Sequence, residues 1–199
     1  MKASDMKGKI DEIRKELIMQ MTRKRYEHTM GVMYTAAALA MRYDADIEKT
    51  MLTGLLHDCA KTVNYPSEKL LILCREQNIP VSESESIKPD LLHAKVGAYL
   101  ATHKYGISDQ EILNAIIAHT TGRPEMTLLD KIIYIADFIE PGRNEASNLP
   151  IVRKMAFADL DACLLRILED SLIYLKKKND IIDPMTAKTY NYYKKQLKK

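Results

Sequence analysis

Tryptophan is absent from this sequence of 199 residues, and only 2 phenylalanines accompany its 11 tyrosines. Glycine and proline number 7 each, too few for a chain built from short strands and many turns. No apolar run approaches the ~20 residues needed to cross a bilayer as a helix. Charges at Lys2, Asp5, Lys7 and Lys9 interrupt the first ten positions, where a secretory leader would be apolar. Three cysteines, Cys59, Cys74 and Cys163, show no paired spacing. An odd thiol count without a leader points to reduced cysteines in a soluble, cytoplasmic protein. The formal charge of +3 is too small to imply nucleic-acid binding by itself. Basic runs at Arg23–Arg25, Lys176–Lys178 and Lys194–Lys199 read as solvated faces or helix ends.

What is present favours helix. Ala, Leu, Ile, Met, Lys and Glu dominate, and 46% hydrophobic content suffices for one well-buried core. Apolar positions recur at helical spacing almost throughout, with no convincing alternating strand. Helices are expected over about 5–20, 22–42, 46–58 and 67–77, then from an Asp90 cap to about Tyr105, where Gly106 ends it. The segment Ile79–Pro89 reads as a loop. Ser108-Asp109-Gln110-Glu111 reads as a capping box opening the helix that reaches His119. Thr127 caps a helix stopped by Pro141-Gly142; further helices run from about Pro150 to Lys178 and from a Thr186 cap. The expectation is an all-α helical bundle forming a single domain over residues 1–199, with a core from about 22 to 145 completed by C-terminal helices over 150–199.

Chemistry concentrates in the histidines. Of 5, four join two aspartates in one pattern: His28, the doublet His57-Asp58, His93, His119 and Asp137. Adjacent helical residues leave the axis roughly 100° apart, so the doublet can close on one ion from two sides. His93 shares a face with Val96 and Leu100, His119 with Ile112 and Ile116, and Asp137 with Ile133 and Tyr134. Ionisable groups on apolar faces need partners, and imidazole with carboxylate suits a divalent metal. His103 lies off the His93 face near a helix end, where a cation offsets the dipole, and is left out of the site. Cys59 reads as packing. Lys61, Arg143 and Arg25 each flank a ligand segment, Arg suited to bidentate phosphate contact and Lys to a point charge. Thr120, beside His119, offers a hydroxyl.

The segments "RYEHTMGV", "GLLHDCAK", "LLHAKVGA", "IIAHTTGRP" and "DKIIYIADFIEPGR" resemble the HD superfamily of helical metal-dependent phosphohydrolases, and within it the YqeK family of symmetrical diadenosine tetraphosphate hydrolases. The resemblance runs from about Arg25 to the last helix. It implies a primary metal held by His28, His57, Asp58 and Asp137. His93 and His119 would serve a second ion or the phosphate side. It implies iron, as one or two ions, with manganese or another divalent ion as the alternative. "DIIDPMT" resembles the family's nucleotide-contacting loop, which implies contacts from Asp180, Ile181, Ile182, Asp183, Pro184 and Met185 alongside Arg25, His93, His119, Thr120, Asp137 and Arg143.

The expected reaction is splitting of the dinucleotide into two ADP. A bound metal lowers the pKa of water toward about 7, supplying hydroxide to attack phosphorus, and a second ion about 3.5–4 Å away can clamp both oxygens. Asp58 is the natural bridge between ions and, with Lys61, the expected catalytic pair. The expected partner is a small nucleotide, with no membrane and no nucleic acid, and a homodimer is left open. The alternative enzyme is another HD phosphohydrolase, acting on a mononucleotide, alarmone or cyclic nucleotide, which the pocket beyond the metal would distinguish. A non-catalytic binding protein docking on RNA through its basic tail is the reading from a different class.

Overall fold

Side-chain caps set where most helices begin. In the computed structural model, which describes residues 3–144 and 146–197 with side chains from Met6, helix α1 spans Ala3–Gln20. Thr22 opens α2 (Arg23–Arg42) by accepting from Arg25 N–H at 3.3 Å, and Asp46 opens α3 (Ile47–Leu56) through Lys49 N–H at 2.9 Å. After α4 (Ser67–Glu76) the chain departs from the expected loop. Ser82 and Glu85 form a capping box that starts α5 (Glu83–Ile87). Asp90 is not a cap. Pro89 fixes φ at the start of a 3₁₀ turn over Pro89–Leu92, and α6 (His93–His103) follows directly. Gly106, at φ +62°, turns the chain out of α6.

Asp109 rather than Ser108 caps α7 (Gln110–Ala118), its carboxylate accepting from Glu111 N–H at 2.9 Å. Thr127 and Asp130 cap α8 (Leu128–Ile139) reciprocally. Extended Asp159 separates α9 (Leu149–Ala158) from α10 (Leu160–Lys177) and caps the latter. Asp183 caps α11 (Pro184–Gln196); Pro184 sits at its first position, and Thr186 lies buried one turn in. No strand occurs among the described residues, and the fold is all-α. Lys198 and Lys199 of the terminal basic run lie outside the described residues.

One core runs through the helices, drawing Leu17 from α1, Leu39 from α2, Leu55 from α3, Ile116 from α7, Ile133 from α8 and Leu164 from α10. α2 packs on α3 and α8, and α7 packs on α3, α6 and α8, which brings five ligand segments to one depth in the bundle. The α2–α3 crossing is close because Gly54 has no side chain. A Cβ there would meet Met33 Cα at 3.0 Å and Met33 N at 3.4 Å. Gly54→Ala is therefore expected to force these helices apart at about 1–3 kcal/mol, a fall of about 2–4 °C in melting temperature per kcal/mol. A thermal scan checks this; an unchanged midpoint would mean that the crossing yields freely.

Candidate metal centre and its cleft

Helix ends carry most of the donors. His28 lies on the buried side of α2. His57 is the residue after α3, still in helical backbone conformation, and Asp58 follows in the turn. The doublet thus sits at the helix terminus rather than within it, where Lys61 N–H bonds Asp58 O at 2.8 Å. His93 is the first residue of α6, His119 the residue after α7, and Asp137 belongs to α8.

Asp58 lies between two sets of imidazoles. Its Oδ2 is 3.5 Å from His57 Nε2 and 3.9 Å from His28 Nε2; its Oδ1 is 3.4 Å from both His93 Nε2 and His119 Nε2. Asp137 Oδ1 completes the first set, 3.0 Å from His28 Nε2 and 3.9 Å from His57 Nε2. The six residues named as candidate ligands therefore converge, and Asp58 faces both halves.

The far nitrogen of each ring decides what the near one offers. His57 Nδ1 bonds Gly54 O at 2.6 Å, His119 Nδ1 bonds Ile116 O at 2.7 Å, His93 Nδ1 bonds Asp90 O, and His28 Nδ1 bonds a carboxylate oxygen of Glu140 at 3.1 Å. Carbonyl and carboxylate oxygens only accept, so each Nδ1 carries the proton and each Nε2 presents a lone pair to the centre. His93 Nε2 and His119 Nε2 stand 3.1 Å apart, and Thr120 Oγ1 lies 3.1 and 3.2 Å from them with one proton to share. His28 Nε2, His57 Nε2 and Asp58 Oδ1 are buried without a hydrogen-bond partner. Lone pairs facing one another and facing carboxylates repel unless positive charge lies among them.

Electrostatics narrow the choice of that charge. Burial pushes the Asp58 carboxyl up, yet its neighbours, His57 foremost, then Lys61 and His119, hold it well below the usual carboxylate range. Asp137 is held low in the same way, burial being outweighed by His28, His57 and Arg143. Both acids are anionic. Burial, then the Lys61 charge, lowers His93 to about 3, so its ring is neutral. A proton on Nε2 would charge a buried ring that already donates through Nδ1. A divalent cation neutralises the carboxylates and leaves the rings neutral, so the donor set fits metal.

The cations surround this centre. Lys61 Nζ is 3.4 Å from Asp58 Oδ1, Arg25 Nη1 2.8 Å from Asp58 Oδ2, and Arg143 Nη2 2.7 Å from Asp137 Oδ1. A cleft of about 770 Å³, lined by Thr120, Asp137, Phe138 and Arg143 among others, opens beside the centre. A smaller recess of about 150 Å³ shares Thr120, Asp137 and Phe138 with it and reaches Lys61, His93 and His119. The cleft's size suits one nucleotide-sized ligand. Arg25 pairs with Asp58 and lines neither the cleft nor the recess.

The C-terminal loop is divided. Ile181 and Asp183 line the cleft, whereas Asp180, Ile182, Pro184 and Met185 do not. Asp180 pairs with Lys88 at 2.6 Å, and Asp183 accepts from Ser84 Oγ at 2.6 Å, which ties the loop to α5. His103 stays outside, stacked on Tyr99. Cys59 packs against Gly97 O, its thiol pushed up to about 12 by burial and then by Asp58. Sequence reasoning missed two features: the α10 wall of Arg166, Asp170, Ser171 and Tyr174, and Glu140 behind His28. The signal for Glu140 was a carboxylate three residues past Asp137, in the same motif.

Residues 25–142 match the HD domain family. The chain is 42% identical over 173 residues to a Bacillus subtilis protein named symmetrical bis(5'-nucleosyl)-tetraphosphatase, covering 87% of this chain and 91% of that one. A Staphylococcus aureus protein of the same name is 37% identical over 172 residues, covering 85% and 87%. A Clostridium acetobutylicum crystal structure, described as a predicted HD superfamily hydrolase involved in NAD metabolism, superposes with a TM-score of 0.88 at 40% identity, covering 94% of this chain and 97% of that one. No helix among the described residues is long and apolar enough to cross a membrane. With its histidines and aspartates converging inside the matched segment, the chain belongs to the HD-domain family, among the relatives of the symmetrical bis(5'-nucleosyl)-tetraphosphatases.

Proposed function

We propose that this protein hydrolyses diadenosine tetraphosphate symmetrically to two ADP, with divalent metal held by His28, His57, Asp58 and Asp137 and a second ion held by His93, His119 and the other oxygen of Asp58. The observation that carries this reading is the Asp58 carboxylate, shared between two imidazole sets beside a nucleotide-sized cleft. When bound, such ions supply Lewis acidity and acidify water. The chain's own residues do the rest. Asp58 and Asp137 bring negative charge, and the Nδ1 bonds lock four rings in the ligating tautomer. Arg143 on the cleft rim and Lys61 in the recess bind the polyphosphate chain from two sides. Thr120, on the wall common to both, offers a hydroxyl to a phosphate oxygen. Phe138, Tyr174 and Ile181 give the cleft apolar surface for a base.

The metal we assign is iron, because four imidazoles with two carboxylates suit a transition ion better than magnesium or calcium. The working compartment we assign is the cytoplasm, where buried Cys59, Cys74 and Cys163 remain thiols. Elemental analysis of protein purified without chelators or oxygen is expected to find bound transition metal, and chelation should remove activity that manganese or ferrous ion restores. A protein that holds no transition ion and gains no activity from any would end the hydrolase reading.

A further inference from the structure

Glu140 lies 3% exposed at the end of α8 and has no role among the metal donors. Its Oε1 is 3.1 Å from His28 Nδ1, and its Oε2 accepts from Gly142 N–H at 2.6 Å. Nδ1 and Nε2 lie on opposite sides of the ring, so this carboxylate acts on an ion held by His28 only through the imidazole. Among the described residues its sole ion-pair partner is His28. A buried carboxylate needs positive charge nearby, and an imidazole bound to a cation becomes a stronger donor than a free one.

We propose that Glu140 is a positioning residue for the metal centre, resting on the metal reading above. One oxygen fixes the tautomer and tilt of His28; the other ties that ligand to the turn carrying Arg143. The surroundings are shaped for this carboxylate. A Cβ at Gly31, one turn beyond His28 on α2, would collide with Glu140 Oε2, and a Cβ at Gly142 would meet its two oxygens at 3.0 and 3.1 Å. The turn has an independent brace. Arg153 from α9 donates to Ile139 O at 2.9 Å, Glu140 O at 2.9 Å and Arg143 O at 2.8 Å. Removing the Glu140 carboxylate therefore leaves the helix end held and releases His28.

The test titrates metal-free wild type, Glu140→Gln, Glu140→Ala and Gly31→Ala with manganese(II), following the free ion by electron paramagnetic resonance, with metal-free melting temperatures measured in parallel. Glu140→Ala and Gly31→Ala are expected to weaken manganese binding about 10–100-fold. Glu140→Gln should fall between them and wild type, since its carbonyl still accepts from His28. Saturating manganese should recover much of the lost kcat. Gly31→Ala matters because it displaces the carboxylate without removing it. Manganese affinities within twofold of wild type in all three variants, with only the melting temperatures lowered, would overturn the assignment and leave the metal reading standing. Wild-type protein that takes up no manganese would bring down both.

Discussion

Asp58→Ala is expected to lower turnover by about 10³-fold or more, at least about 4 kcal/mol of transition-state stabilisation, while leaving a folded protein. Its two oxygens face the two imidazole sets, so its loss removes one ligand oxygen from each half at once. The fold should survive. Asp58 is buried, but it contributes an anionic head at a turn and little apolar surface, and Arg25 and Lys61 can each swing toward solvent when their partner goes. Metal-free Asp58→Ala should melt near wild type, because removing a desolvated carboxylate offsets the lost ion pairs. His57→Ala should behave alike for the first half of the centre. Turnover assays with excess metal, together with circular dichroism, decide this. Near-normal rates in either variant would show that the ligands are assigned wrongly.

A cap whose side chain is the only local candidate could be placed from sequence, as at Thr127. Where two polar residues compete, the nearer carboxylate took the role: Asp109 over Ser108, and Asp183, with Pro184 behind it, over Thr186. The Ser82–Glu85 box was readable by the same rule, but the polar run around it read as loop. Three of the metal donors, His93, His119 and Asp137, could be found because each shares a helical face with apolar residues, a local property, while His28 and the His57-Asp58 doublet stood out by their motif. Their division into two sets around Asp58 depends on how α3, α6, α7 and α8 meet, which no periodicity encodes. The α10 wall escaped for the same reason. Arg166, Ser171 and Tyr174 look like solvated helix positions until α8 and the Asp180–Asp183 loop close over them. The segment Asp180–Thr186 was placed at the cleft by resemblance alone, and of it Ile181, Asp183 and Thr186 reach it.

Diadenosine tetraphosphate is expected to give two ADP, with no ATP and no AMP. Attack occurs at the phosphorus that the protein's cations hold in line with the activated water, so the cut reports where the chain is held. Arg143 on the cleft rim and Lys61 in the recess stand on either side of the wall formed by Thr120, Asp137 and Phe138. The cleft of about 770 Å³ has room for one nucleoside with its first phosphates, and the expected cut requires the second phosphorus from that nucleoside to lie beside the metal donors. Cleavage there leaves ADP in the cleft and ADP on the departing half. Arg143→Ala should lower kcat/KM by about 10²-fold, about 2.7 kcal/mol. It should leave metal content unchanged, since Arg143 donates to Asp137 Oδ1 but is not itself a donor to the ion, and His28, His57, Asp58 and Asp137 all remain. Anion-exchange chromatography of the products, with metal analysis of the variant, tests both halves. ATP plus AMP would mean that the chain lies one phosphate deeper than these cations place it. Hydrolysis of a mononucleotide with the dinucleotide left intact would move the protein to a different substrate within the same family.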